Sequence, residues 1–175
     1  MNILITGGTG FIGSRLAFRC LEKGDSVKVF GQVNNTAESD NKKLLEAKGA
    51  KIILGSMTDR TLIFDITAGI DVIYHLAAAQ HEANVPNRIF YDVNVLGTKN
   101  ILDASVQAGV RRFVHGSTIG VYGNLEGVIN EQSPCNPDNI YGVTKLEGET
   151  LVLSYREKLP VVVMRISETY GPGDR

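Results

Sequence analysis

The sequence has 175 residues, 43% of them hydrophobic, and a net charge of -1. This length and hydrophobic content allow one well-buried domain, and the chain is too short for two domains of ordinary size. Both signs of charge are mixed along the chain, and no apolar run reaches membrane-spanning length, so we expect neither a nucleic-acid nor a membrane partner, and a cytoplasmic protein that binds small molecules. Cys20 and Cys135 form no Cys-x-x-Cys pair and predict neither a disulfide nor a metal site.

The chain begins with an apolar run that turns sharply into a helix. Residues 2–6 predict a buried strand, the segment Gly7-Gly-Thr-Gly-Phe-Ile-Gly13 follows at once, and an amphipathic helix is predicted over 11–23. Gly7 allows the tight turn, Gly10 allows a pyrophosphate to approach the backbone, and Gly13 allows the helix to pack closely on the strand. A packing turn is the alternative, but the strand and helix around it favour a dinucleotide site with the members Gly7, Gly10, Phe11, Ile12 and Gly13.

The remaining elements alternate between strands and helices. Further strands are predicted over 26–30, 50–54, 71–75, 111–116 and 160–166, and further helices over 38–48, 58–69, 86–108 and 139–158. This order predicts an α/β fold, a doubly wound parallel sheet of six strands covered by helices on both faces. In such a sheet, ligands bind at the carboxyl ends of the strands, so we expect the chemistry after strands one, four, five and six.

Tyr141 and Lys145 lie four residues apart, on one face of the last predicted helix. A surface pair is the alternative interpretation, because such a spacing often arises by chance. The pair follows strand five, behind a loop containing Pro134 and Pro137, and this arrangement resembles the Tyr-x-x-x-Lys motif of the short-chain dehydrogenase/reductases, which favours a catalytic pair. A phenol with a pKa near ~10 must fall by about three units to act as a base near neutral pH. Lys145 and a nicotinamide cation would lower the pKa by stabilising the negatively charged phenolate.

Several segments together resemble the extended short-chain dehydrogenase/reductases, the family of NAD-dependent nucleotide-sugar epimerases and dehydratases. They are the Gly-rich turn, Tyr141-x-x-x-Lys145, Asp92-Val-Asn-Val-Leu-Gly-Thr98, His115-Gly-Ser-Thr-Ile-Gly-Val-Tyr-Gly123 and Arg165-Ile-Ser-Glu-Thr-Tyr-Gly-Pro-Gly-Asp-Arg175. The resemblance runs from residue 2 to residue 175 in order. It implies a Rossmann fold and an NAD(P)-dependent enzyme that transiently oxidises a nucleotide sugar.

The resemblance also implies a role for each site residue. Tyr141 is the acid/base, Lys145 its electrostatic partner, Thr118 the orienting hydroxyl, and Asn94 supports the active-site helix. A strand-end turn satisfied by Ser117 and Thr118 is the alternative for those two hydroxyls. The expected further cofactor contacts are Gln32, Ser56, Met57, Leu76, Ala77, Ala78 and Ser117. His75 and His115 are expected to pack within their strands.

The sequence departs from the family at the adenosine end. Strand two ends in Phe30-Gly31-Gln32, without the acid that would bind the ribose 2′-hydroxyl of NAD, and the next acid is Glu38. No Arg stands there to receive a 2′-phosphate, so we expect weak discrimination between NAD and NADP, slightly in favour of NAD. Ser56 follows Gly55 where the family commonly has Asp, and Glu168 stands where Asn is usual.

Two alternative functions remain open from the residues. One is a steroid-dehydrogenase-like or flavonoid-reductase-like NAD(P)-dependent oxidoreductase, and the other is a non-catalytic nucleotide-binding protein. In the family, a substrate-binding region follows the position of residue 175, so we expect residues 1–175 to be the cofactor domain of a longer protein, or a truncated product with little activity. The resemblance further implies a homodimer that forms through the helices over 86–108 and 139–158.

Overall fold

The computed structural model describes residues 1–80 and 86–172, which contain one six-stranded sheet. Its order is β3-β2-β1-β4-β5-β6, and every neighbouring pair is parallel. The strands are β1 (Asn2–Thr6), β2 (Ser26–Gly31), β3 (Lys51–Leu54), β4 (Val72–His75), β5 (Arg112–Thr118) and β6 (Val161–Ile166). The order reverses between β1 and β4, so the predicted doubly wound fold is confirmed.

Helices connect the strands and cover the sheet. They are α1 (Phe11–Glu22), α2 (Thr36–Ala47), α3 (Arg60–Thr67), α4 (Asn87–Tyr91), α5 (Thr98–Ala108) and α6 (Ile140–Ser154). A short 3₁₀ helix, Ile119–Tyr122, follows β5. None of the helices in the described part of the chain is long and apolar enough to cross a membrane. The end of the family-like segment, residues 173–175, lies outside the described residues.

The helical region predicted over 86–108 is present over 87–108, but it is not α-helical throughout. Asp92–Gly97 forms a π-helical turn between α4 and α5. At Gly97 this turn packs so closely on the loop after β3 that an added β-carbon would lie 2.6 Å from Met57 Cβ. Widened turns of this kind are frequent at functional sites, and this one turns Asn94 into the interior, where it is 2% exposed.

Capping side chains account for the other differences in helix bounds. Asn35 accepts the Glu38 amide at 2.9 Å, so α2 begins at Thr36, two residues before its predicted start. Asp59, one of two cap candidates in the sequence, accepts the Leu62 amide at 3.0 Å and starts α3. The last helix ends at Ser154, and residues 155–158 form turns instead of the predicted final helical turn.

The core occupies both faces of the sheet. Successive residues of β1 point to opposite faces, so Ile3 and Ile5 pack under α1 and α2, while Leu4 packs with the residues under α3, α5 and α6. All three side chains are at most 2% exposed, which explains the continuous apolar run in the sequence. The sheet therefore holds the carboxyl ends of β1, β4, β5 and β6 in fixed positions beside one another.

Candidate active site

A groove lies across the carboxyl ends of the strands, above the turn between β1 and α1. It contains two cavities, of about 310 Å³ and 140 Å³, which share Gly7, Gly10, Leu76 and Ala78 in their walls. The larger cavity reaches Ser117, Thr118, Tyr141 and Lys145 at one end of the groove. The smaller reaches Gln32, Ser56, Met57 and Ala77 at the other. Every residue predicted to contact the cofactor lines one of these two cavities.

The glycine turn leaves room for a ligand because its main chain has no side chains over it. Gly7 has a φ of 67°, and an added β-carbon would lie 2.7 Å from the Ala77 nitrogen. A β-carbon at Gly13 would overlap the Gly7 carbonyl oxygen. Gly10 begins α1 without a side-chain cap, so the first amides of α1 face the groove directly. Such amides favour an anion, which fits a pyrophosphate.

Asn94 lies behind the wall of the groove and joins the segment after β4 to α6. Its Oδ1 accepts the Ala79 amide at 2.8 Å, and its Nδ2 donates to the Ala79 carbonyl at 3.2 Å and to Thr144 Oγ1 at 3.0 Å. The side chain does not line either cavity. Asn94 thus contacts α6, the helix that carries Tyr141 and Lys145, in a position to orient that helix.

His75 completes a directed chain of hydrogen bonds beneath the groove. Thr98 donates its hydroxyl hydrogen to the Asn94 carbonyl at 2.7 Å, so it accepts a hydrogen from His75 Nε2 at 2.9 Å. His75 Nδ1 then accepts from the Thr6 hydroxyl at 2.7 Å. Burial, and then the charge of Lys145, lower the pKa of His75 to about 3. The ring is therefore neutral and ties β1 and β4 to α5.

Tyr141 and Lys145 lie in the larger cavity, and burial shifts the pKa of both. Lys145 is 2% exposed and donates from Nζ to the Gly116 carbonyl at 2.6 Å. Burial lowers its pKa to about 8, against the opposing effect of Glu149, so it is mainly charged at neutral pH. Burial raises the pKa of the Tyr141 phenol, and a hydrogen bond with Thr118 acts in the opposite direction. The protein groups alone therefore keep Tyr141 as a neutral phenol.

The two hydroxyls after β5 differ in their surroundings. Thr118 Oγ1 accepts the Gly120 amide at 3.1 Å, as the strand-end turn interpretation requires, but its own hydrogen can still be donated into the cavity. Ser117 is 4% exposed, and its Oγ has no hydrogen-bond partner within the described ranges. A buried hydroxyl without a partner is rare in folded proteins. Its place in the wall of the larger cavity fits a polar ligand bound there.

Arg165 holds β6 against α6 and the 3₁₀ helix. It contacts Glu149 through Nε at 3.1 Å and through Nη2 at 2.8 Å, and donates from Nη1 to the Tyr122 hydroxyl at 2.8 Å. Glu149 is 2% exposed, so the pair is shielded from water. Periodicity within the sequence gives no signal for this pairing, because the two residues lie on separate elements.

Some groove residues were absent from the sequence-based set. Thr9, Glu38 and Gln80 line the cavities, as do Ser167, Glu168 and Thr169 after β6. Glu38 had been noted only as the next acid after β2. Its spacing of three residues from the capping Asn35 could have placed it in the first turn of α2.

The buried Lys145 predicts a pH dependence of stability. Its pKa falls from 10.5 in the unfolded chain to about 8 in the folded one, so the unfolded chain binds more protons between these values. The contribution of this group to the free energy of unfolding therefore rises with pH across that window, by about 3 kcal/mol in all. Urea unfolding of the wild type and Lys145→Met at several pH values measures it. A difference between the two proteins that stays constant from pH 8 to 10.5 would contradict this shift.

Comparison with known proteins gives a consistent result. Residues 3–175 match the model of the NAD dependent epimerase/dehydratase family. The low-salt glycan biosynthesis protein Agl12 of Haloferax volcanii is 36% identical, over 98% of this chain and 58% of that protein. A dTDP-glucose 4,6-dehydratase of Streptomyces niveus is 34% identical, over 98% of this chain and 55% of that protein.

The fold of a solved structure agrees with these sequence matches. UDP-glucuronic acid 4-epimerase from Bacillus cereus, in complex with NAD, superposes with a TM-score of 0.92 at 32% identity. The superposition covers 100% of this chain and 59% of that one. The chain thus spans a little more than half of the length of these relatives.

Proposed function

Because the chain belongs to the NAD-dependent epimerase/dehydratase family, we propose that it is the cofactor domain of an enzyme that transiently oxidises a nucleotide sugar. The observation that carries this proposal is the shared groove: Tyr141, Lys145 and Thr118 line the same cavity as the glycine turn. A dinucleotide that reaches from one end of the groove to the other would bring its reactive ring to these side chains.

The residues present fit a bound NAD. The uncapped amides at the start of α1 would hold the pyrophosphate, and the unpartnered Ser117 hydroxyl would meet a polar group at the nicotinamide end. When bound, the oxidised cofactor accepts a hydride and adds a positive charge to this end of the groove. That positive charge, like the charge of Lys145, would lower the pKa of the Tyr141 phenol.

Three side chains would then take part in the proton transfer, each with a different role. Lys145 would stabilise Tyr141 as the phenolate, which takes the proton from the sugar hydroxyl that is oxidised and thereby becomes a neutral phenol. Thr118, which lines the same cavity as Tyr141, would orient the substrate oxygen beside the phenol. A nucleotide sugar is the substrate class because the similar proteins include a dTDP-glucose dehydratase and a UDP-glucuronic acid epimerase.

The homodimer remains a prediction. On the expected contact region, Ile89, Tyr91 and Leu96 are 43%, 40% and 48% exposed, which supports a contact through α4 and the π-helical turn. The side chains are of the apolar kind that such contacts bury.

Turnover assays with a panel of nucleotide sugars and hydroxysteroids test the function. For the 175-residue form we expect NAD binding but very low turnover, because this form spans only 58% of the length of the relative Agl12. The longest available form should convert a nucleotide sugar without net consumption of NAD. Stoichiometric consumption would favour the steroid-dehydrogenase-like alternative. Robust turnover by the 175-residue form would show that the proposed division of the enzyme is wrong.

A further inference from the structure

A buried carboxylate lines the end of the groove that is farther from Tyr141. Glu38 lies in the first turn of α2, is 6% exposed, and lines the smaller cavity together with Gln32 and Asn34. Tyr141 and Lys145 line only the larger cavity. Since the pyrophosphate turn lies between the two ends, the smaller cavity is where the adenosine half of a dinucleotide would lie. A negative charge thus stands at the adenosine end.

The carboxylate of Glu38 is held in place by local contacts. Its Oε2 accepts the Asn34 amide at 2.7 Å, and its own amide donates to Asn35 Oδ1 at 2.9 Å. Because an ionised carboxylate can accept about four hydrogen bonds, the bond from Asn34 is compatible with a further one from a ligand.

The helix that carries Glu38 is in turn fastened to the glycine turn. Asn41 Nδ2 donates to the Thr9 carbonyl at 2.9 Å, and Thr9 Oγ1 donates to the Gln32 carbonyl at 2.8 Å. These bonds connect α2 and the end of β2 to the segment that would hold the pyrophosphate. The position of the carboxylate relative to that segment is therefore fixed by the fold.

We propose that Glu38 is the residue that selects NAD over NADP. Its carboxylate accepts a hydrogen bond from the ribose 2′-hydroxyl of NAD and repels the 2′-phosphate of NADP. Glu38, which lies on α2, would thereby take the role of the ribose-binding acid that is absent at the end of β2. None of the described residues that line the smaller cavity is Lys or Arg, so none of them would bind a 2′-phosphate through a positive charge. The weak discrimination expected from the sequence becomes a clear preference for NAD. This inference rests on the proposed function.

A purely structural role for Glu38 is the competing explanation, because its contacts with Asn34 and Asn35 resemble a helix capping box. Capping boxes use Glu or Gln at this position. Glu38→Gln therefore keeps the capping acceptor and removes the charge. Asp40→Asn is the matched control, because it removes the same charge from the same helix at an exposed side chain that lines neither cavity.

Fluorescence titrations of the wild type and both variants with NADH and NADPH test the proposal. We expect the wild type to bind NADH at least ~10-fold more tightly than NADPH, because placing like charges together in a binding site costs several kcal/mol. Glu38→Gln should lose about tenfold or more of this preference, mainly through tighter NADPH binding. Asp40→Asn should keep the preference of the wild type.

A second measurement needs no variant. Added salt screens the repulsion in part, since a buried charge is screened less than an exposed one, so the ratio of NADPH to NADH affinity of the wild type should rise modestly between about 0.01 M and 1 M ionic strength. An unchanged preference in a normally folded Glu38→Gln protein would show that Glu38 is only a helix cap. If Glu38→Gln does not fold, a salt-independent ratio overturns the proposal. Failure of the wild type to bind either dinucleotide would instead overturn the proposed function.

Discussion

Replacement of Tyr141 by Phe is expected to lower the turnover of the longest active form by ~10²- to 10⁴-fold, the usual contribution of a general acid/base. The phenyl ring keeps its packing in the larger cavity, so affinity for NADH should remain nearly unchanged. Steady-state rates with the best nucleotide sugar and NADH titrations of the same preparation measure the two effects separately. Full activity of Tyr141→Phe would exclude the proposed mechanism.

Tyr155→Phe is the matched control for that substitution. Tyr155 lies at the end of α6 and donates from its hydroxyl to Asp103 at 2.6 Å, outside both cavities. Its loss removes a hydrogen bond to a charged group, typically worth about 1.5–3 kcal/mol of stability. We expect a lower unfolding free energy and an unchanged rate, the reverse of the result for Tyr141→Phe.

Gly10→Val should abolish tight cofactor binding and leave the fold intact. A β-carbon at Gly10 would meet only the Gly7 carbonyl oxygen, at 3.3 Å, and Gly10 has an ordinary φ of -71°. The branched side chain would instead occupy the space that the pyrophosphate needs. A loss of ~100-fold or more in affinity, about 3 kcal/mol, is expected by NADH titration, with the thermal midpoint close to that of the wild type.

Gly13→Ala provides the contrast to Gly10→Val. Its β-carbon would overlap the Gly7 carbonyl oxygen, so the turn itself must rearrange. We expect this variant to lose stability together with binding. If Gly10→Val folds and binds NADH as tightly as the wild type, the assignment of the pyrophosphate to this turn is wrong.

The fold could be predicted because its signals are local. The apolar run at 2–6 is buried on both faces of a parallel sheet, and α3 and α5 each bury apolar side chains. The glycine turn was equally readable, because a positive φ at Gly7 and the lack of space at Gly13 leave few alternatives to glycine. The residues around Tyr141 were assigned from the resemblance to the short-chain dehydrogenase/reductases, and they lie at the carboxyl ends of the strands, where ligands bind in such sheets.

Other features could not be read from the sequence because they depend on contacts between distant elements. The π-helical turn at Asp92–Gly97 hardly changes the helical periodicity, and it is set by packing against Met57. The bidentate contact between Arg165 and Glu149 joins β6 to α6. Glu38 lines the groove because α2 is bonded to the glycine turn through Asn41 and Thr9, a contact that the spacing after β2 does not show.

The central claim, that a dinucleotide lies along this groove, is tested most directly by NMR titration of the ¹⁵N-labelled chain with NADH. Saturable shifts are expected for the amides of residues 7–13, 76–78 and 117–118, and for Glu38 at the opposite end. The amides of Lys158 and Leu159, beyond the end of α6, should not move. Saturable shifts confined to residues outside the groove, or no saturable shift at all, would contradict the claim.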